Sequence, residues 1–289
     1  MARPSRSMRL AAIQMCSGKD VDRNLDRALA LVNRAADEGA DVVALPENFA
    51  LMGSDRERAQ FVQDLDGPVL KELGRVAKER SVLLLAGTVL ERNRDEADPR
   101  PYNTSVLLDR QGSPIAVYRK MHLFDVSLTD GVSYRESESV RPGDEPVVAF
   151  VEGVGFGLSI CYDLRFPELY RLLAFRGAQV VFVPSAFTVE TGKDHWMSLL
   201  RARAIENQVY IVAPAQFGTH ESGRVTYGHS MIVDPWGTVL AQAPQKESVL
   251  WADADFGYQE EIRSRVPVGK HVRKRIFSLL HADLEGEAK

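Results

Sequence analysis

The chain has 289 residues, 45% of them hydrophobic and 26% charged, with a formal net charge of −4 from 36 Lys and Arg against 40 Asp and Glu. That composition is globular and supplies enough apolar residues for a substantial core. It excludes a strongly basic nucleic-acid-binding surface, and no apolar run approaches the roughly 20 residues of a membrane-spanning helix.

Residues 1–7 carry Arg3 and Arg6 but lack the apolar stretch of a secretory signal. They are expected to form a disordered leader, with Met8 as an alternative start. Residues 9–16 read as an apolar strand. Asp20 opens a long helix with Leu25, Ala28, Leu29, Val32 and Ala36 on one face, closed at Gly39. Residues 41–45 form a continuous apolar run of the parallel-strand kind. A helix is expected over 67–80 and a strand over 82–90. Residues 102–108 and 115–120 flank Arg110-Gln111-Gly112-Ser113 and read as a hairpin. Residues 125–146 are polar without a clear period and predict a long loop, often a functional feature.

In the second half, strands are expected at 147–151 and 156–160. A helix follows over 166–176, opened by Pro167, then a strand at 180–183 and a helix around 195–207. Further strands are expected at 210–213, 230–233, 239–241 and 249–254, with a short helix after Tyr258. The C-terminal tail, 269–289, is basic (Lys270, Arg273, Lys274, Arg275) and then apolar (Ile276, Phe277, Leu279, Leu280). Such a tail can cover its own body or reach a partner.

The chain also echoes itself. Gly39-Ala-Asp-Val-Val-Ala-Leu-Pro-Glu-Asn-Phe49 aligns without gaps on Gly177-Ala-Gln-Val-Val-Phe-Val-Pro-Ser-Ala-Phe187, with the same residue at six of the eleven positions. Each copy follows a strand and a helix. Two related βαβ units in one body predict a two-sheet α/β sandwich.

Two cysteines, Cys16 and Cys161, are too few for a disulfide scaffold, so a reducing, cytoplasmic setting is expected. A Cys16–Cys161 bridge is disfavoured because both close strands that look buried. Cys161 sits between a predicted strand and a predicted helix, where a sharp turn and a helix N-terminus favour a thiolate. A small core thiol is the plain alternative. Glu47 and Lys120 also lie just past predicted strand ends, where open α/β sheets gather active groups. Together the three can act as one device. The Cys161 sulfur attacks a carbonyl carbon, and Glu47 moves the proton to the leaving amine. Lys120 and the backbone N–H of Tyr162 hold the oxyanion. Taken singly, Glu47 could cap a turn and Lys120 could be a solvated strand end.

These segments resemble signature blocks of the nitrilase superfamily of carbon–nitrogen hydrolases. The blocks are Leu45-Pro46-Glu47-Asn48, Tyr118-Arg-Lys-Met-His-Leu-Phe124 and Ile160-Cys-Tyr-Asp-Leu-Arg-Phe-Pro-Glu168. The likeness spans residues 8–268, expected to be the hydrolase domain. It implies a four-layer α-β-β-α sandwich, with Glu47 as base, Lys120 as oxyanion stabiliser and Cys161 as nucleophile. It also implies no metal or organic cofactor, and a homodimer or larger homo-oligomer. A second glutamate supporting the lysine is implied as well, at Glu136 or its neighbour Glu138. Tyr227-Gly-His-Ser-Met-Ile-Val-Asp-Pro-Trp-Gly237 and Pro184-Ser-Ala-Phe187 resemble the Nit branch. That branch implies amidase action on a small carboxylate-bearing linear amide through a thioester. Deaminated glutathione leads as substrate, with ω-amides of 2-oxo-dicarboxylic acids or nitriles as alternatives. Lys193, Asp194 and Phe217 depart from the deaminated-glutathione pattern.

A carboxylate-bearing substrate needs a cation, and Arg165 is a candidate; an ion pair with Asp163 or Glu168 is its structural alternative. Phe187 and Thr191 follow the second echo copy and are expected to line the pocket. His195 and Trp196 suit helix packing. A rival Cys–His hydrolase needs a histidine beside Cys161, with His229 the best placed. A catalytically silent binding or scaffold protein is the non-enzymatic rival.

Overall fold

Alternate side chains of the first strand point to opposite faces, and each face finds a different partner. In this computed structural model, which describes residues 7–128, 131, 133–273 and 275–278, that strand is β1 (Ser7–Gln14). The first half continues with α1 (Val21–Asp37), β2 (Val42–Ala44), α2 (Asp55–Gln60), α3 (Pro68–Arg80), β3 (Leu83–Leu85), β4 (Val89–Glu91), β5 (Tyr102–Leu108) and β6 (Pro114–Arg119). A small ribbon, β7 (Asp125–Ser127) and β8 (Ser133–Arg135), follows. The second half runs β9 (Val148–Val151), β10 (Val154–Leu158), α4 (Pro167–Phe175), β11 (Val180–Phe182), α5 (Val189–Asn207) and β12 (Tyr210–Ala213). The ribbon β13 (Phe217–Thr219) and β14 (Val225–Tyr227) precedes β15 (Met231–Val233), β16 (Val239–Gln242), β17 (Ser248–Asp255), α6 (Phe256–Arg265) and α7 (Val268–His271).

One sheet runs β17-β1-β2-β3-β5, with β4 and β6 on β5; the other runs β16-β15-β12-β11-β10-β9. In each, three parallel strands (β1-β2-β3 and β10-β11-β12) lie between antiparallel neighbours. Leu10, Ala12, Val42, Ala44, Leu83 and Leu85 face the second sheet's Phe156, Leu158 and Phe182 in one core. Ala11, Ile13, Val43 and Leu84 face the other way, onto Ala28, Val32, Leu73 and Val76 of α1 and α3. Helices α4 and α5 cover the second sheet through Leu169, Leu173, Trp196 and Leu200. The result is the four-layer α-β-β-α sandwich, with both echo strands, β2 and β11, central in their sheets.

Local signals account for the element ends. Asp20 caps α1 by accepting from Arg23 N, and Pro167 opens α4. Three sequence expectations need correction. The strand expected over 82–90 is broken into β3 and β4. At the break, Gly87 adopts φ +45°, and a Cβ there would run into the Pro46 carbonyl. The helix expected around 195–207 begins at Val189, so Thr191 and His195 both ride on it. The segment 125–146 is no featureless loop: it holds the β7–β8 ribbon and a 3-10 turn at Glu136–Glu138. Residues 1–6 of the expected leader and residues 279–289 of the tail lie outside the described residues. Within the described tail, Phe277 packs edge-on against Phe175 of α4, so this part of the tail covers its own body.

Candidate active site

Three strand ends and one loop converge. Glu47 follows β2, Lys120 follows β6, Cys161 follows β10, and Glu136 begins the 3-10 turn after the ribbon. All four line one cavity of about 340 Å³. Lys120 Nζ lies 3.1 Å from Glu47 Oε1 and 2.8 Å from Glu136 Oε2. Glu138, the rival carboxylate, is exposed and does not line the cavity.

The two echo copies meet here. Glu47, from the first, accepts from the backbone N–H of Ala186, from the second, at 2.9 Å. The Cys161 amide donates to Pro184 O at 3.0 Å, which ties the thiol to the same strand end. Cys161 itself sits at φ +47°, in the left-handed region that a non-glycine residue occupies at some cost. A 3-10 turn, Cys161–Arg165, follows at once, so the side chain is presented on a sharp bend between β10 and α4.

Asp163 fixes that bend to the lysine strand. Its carboxylate is fully buried and accepts from Tyr118 Oη at 2.7 Å and Ile160 N at 2.8 Å. It also accepts from His122 N at 3.0 Å, with His122 Nδ1 2.7 Å away. The His122 ring stacks on Phe166 at 3.6 Å. The lysine and cysteine blocks are thus physically joined, which explains why both carry fixed polar neighbours.

The electrostatics follow from burial. Desolvation alone would lower the Lys120 pKa, but Glu136, Glu47 and Cys161 outweigh it and hold the ammonium above its ordinary range. Desolvation would raise Glu136; the Lys120 charge and the Phe124 N–H at 2.7 Å outweigh it and keep the carboxyl below its usual range. Burial pushes the Cys161 thiol well up, and Glu47 adds to the shift. The expected helix N-terminus is not at the thiol: α4 starts only at Pro167, and burial acts against the thiolate that such a terminus would favour.

Tyr162, Phe187 and Thr191 line the same cavity. Thr191 is held by Thr188, whose hydroxyl is 2.9 Å from its own. Arg165 does not line it. The Arg165 guanidinium lies beside His195 Nδ1 at 3.3 Å and over the rings of Tyr162 and Phe187. Its alternative role also fails for Asp163, whose acceptors are taken. No histidine is among the described residues that line the cavity. His229 is bound up with Ala243 O and Gln245, and it tilts against Tyr227, so the Cys–His rival has no geometry. His195 is exposed, while Trp196 is buried against Phe187, as helix packing requires.

The sequence reading missed three residues. Asn103 donates from Nδ2 to Glu47 Oε1 at 3.0 Å and to Glu136 Oε1 at 3.2 Å. Its one signal was a buried-type strand carrying an amide opposite Lys120 in the hairpin. Arg58 and Arg224 line the cavity and left no local signal, since only folding brings them to it.

Against known proteins, the carbon-nitrogen hydrolase family model matches residues 9–264. The chain is 44% identical over 269 residues to the deaminated glutathione amidase of Synechocystis sp. (strain PCC 6803 / GT-S), covering 92% of this chain and 97% of that one. Among solved structures it resembles Saccharomyces cerevisiae Nit3, a member of branch 10 of the nitrilase superfamily. The TM-score is 0.83 at 32% identity, over 93% of this chain and 97% of Nit3. It also resembles a mutant of the Nesterenkonia sp. AN1 amidase that carries the acetamide moiety of fluoroacetamide on its active-site cysteine. There the TM-score is 0.75 at 28% identity, over 92% of this chain and 97% of that chain.

Proposed function

The chain belongs to the carbon–nitrogen hydrolase family and is an amide-hydrolysing enzyme, and from that premise we propose that Cys161, Glu47 and Lys120 carry the reaction, with deaminated glutathione as substrate. The observation that carries this reading is the convergence of the Cys161 thiol, the Glu47 carboxylate and the Lys120 ammonium in one cavity.

Burial holds the thiol above its ordinary range, so on this reading attack calls for a base. Glu47 takes the sulfur's proton as the S–C bond forms to the amide carbon. The carbonyl oxygen becomes an oxyanion, held by the Lys120 ammonium and the Tyr162 backbone N–H. Glu47 returns the proton to the nitrogen as the C–N bond breaks. The amine departs and a thioester remains on Cys161. Water then gives a proton to Glu47 and adds to the thioester. Collapse releases the acid and restores the thiol. Glu136 and Asn103 act at one remove. They keep Lys120 charged and aim it, together with Glu47, at the same point.

The catalytic domain spans 8–268 on this proposal. A homodimer is consistent with the surface: Met197 and Ile205 on α5, and Trp236, are large apolar side chains left exposed. No helix among the described residues is long and apolar enough to cross a membrane. Two free thiols suit a cytoplasmic setting.

Release of amine or ammonia from deaminated glutathione and a panel of ω-amides tests the reading, comparing the wild type with Cys161→Ala. Release by the wild type alone is expected. Equal release by both proteins would exclude Cys161, and none on any amide would favour a silent scaffold.

A further inference from the structure

We infer that Arg58 and Arg224 form one carboxylate-binding subsite in this cavity, selecting amides that carry a carboxylate remote from the scissile carbon. The inference rests on the amidase reading and deepens it. Both arginines line the Cys161 cavity. Arg58 Nε and Nη2 and Arg224 Nε are shut off from solvent, and none has a hydrogen-bond partner among the described residues. Buried donors of this kind are paired in nearly all folded proteins, so an unpaired set on a cavity wall marks a ligand's place.

The local anions do not fill that place. Glu47 and Glu136 are the carboxylates among the described lining residues, and both are hydrogen-bonded by Lys120 and Asn103; Glu136 also feels the Arg58 charge but accepts no hydrogen bond from it. The cavity's other arginine is also occupied. Arg135 donates to Val126 O, Tyr134 O and Ser127 Oγ, back into its own ribbon. Arg224, by contrast, is braced but not consumed. Its Nη2 donates to Ala186 O at 2.9 Å and its guanidinium lies over the Tyr134 ring at 5.2 Å, which leaves Nε free. Arg58 rides on α2, which Ser54 and Glu57 pin at its start through a capping box. A planar carboxylate matches the fork of a guanidinium and can be shared between two. A neutral amide offers a single acceptor oxygen and no charge, so it matches the fork less well. The site thus places two cations, Arg224 braced and Arg58 carried on α2, on the wall of the cavity that also holds Cys161, Glu47 and Lys120, and on this proposal they take the specificity role expected of Arg165.

Calorimetry with glutarate and its neutral analogue glutardiamide tests this on Cys161→Ala protein, in which turnover does not interfere. Glutarate is expected to bind at least tenfold more tightly than the diamide. Arg58→Gln and Arg224→Gln, added singly, are expected to weaken glutarate at least tenfold and the diamide less than threefold. Arg58→Lys should regain part of the loss. Equal binding of the two ligands overturns the inference, as do unchanged glutarate affinity in both variants and a parallel loss for both ligands. Wild-type turnover of amides is scored separately. Its absence would sink the amidase reading and leave the carboxylate subsite standing.

Discussion

Asn103 and Lys120 face each other across the β5–β6 pairing, and both side chains donate to the same two carboxylates. The Lys120 amide donates to Asn103 O at 2.9 Å, while Asn103 Nδ2 and Lys120 Nζ each reach Glu47 and Glu136. On the proposed mechanism, the hairpin register therefore sets the aim of the Glu47 base and of the Lys120 ammonium together. Asn103→Ala is expected to lower kcat by about 10- to 100-fold with little change in KM, because misplacement by an ångström costs about that much. Steady-state kinetics on one amide decide it; a loss confined to KM would assign Asn103 to substrate binding instead.

On the proposed mechanism, Glu136 is expected to keep the alkaline side of the pH profile flat. Its folded pKa lies below its ordinary value and that of Lys120 lies above. The stabilising contribution of Glu136 is present above its unfolded pKa of about 4.3 and is lost as pH falls through the lower folded value. That of Lys120 is complete below about pH 10.4 and is lost only as pH rises through its higher folded value. The pair thus stays ionised from weakly acid pH to beyond pH 10. Glu136→Gln removes one anion that holds the lysine proton. An alkaline limb absent from the wild type is expected to enter the kcat/KM profile, with a fall in kcat of about 100-fold from the loss of a positioned charge partner. An unshifted profile would deny this role.

Neither thiol should ionise near neutrality. Burial raises both Cys161 and Cys16 above the ordinary thiol range. Thiolate absorbance at 240 nm in the native protein is expected to stay flat through neutrality and to rise only above about pH 8.5, where an ordinary thiol is already half titrated. A thiolate step below pH 7 that disappears in Cys161→Ala would show a pre-ionised nucleophile and remove the need for Glu47 as base.

Asp163 is a stability residue as well as a positioning one. Its buried carboxylate takes donors from Tyr118, Ile160 and His122. Asp163→Asn turns an acceptor-only group into one with two donors facing other donors. It is expected to cost about 3 kcal/mol, within the range for breaking a buried polar pair. Denaturant unfolding measures this. A change under about 0.5 kcal/mol, the size of an ordinary surface substitution, would mean that the network is not holding the bend.

The sandwich was legible because its period was. Apolar runs at 41–45 and 180–183, each behind a helix, predict central parallel strands, and β2 and β11 are central. The Glu47, Lys120 and Cys161 positions were legible because each ends a strand in a contiguous motif. Asn103, Arg58 and Arg224 were not, because their meeting depends on hairpin register and on the packing of α2 and the β13–β14 ribbon. Arg165 shows the converse limit. Four residues from Cys161 is close in sequence, yet the 3-10 turn carries its guanidinium to His195, off the cavity wall.

Mass spectrometry of the Cys161 peptide, quenched in acid during turnover of an ω-amide, puts the proposed chemistry most directly at risk. A mass gain equal to the acyl portion, located on Cys161, removed by hydroxylamine and absent from Cys161→Ala, is the expected result. Full turnover with an unmodified Cys161 peptide, or persisting in Cys161→Ala, would contradict it.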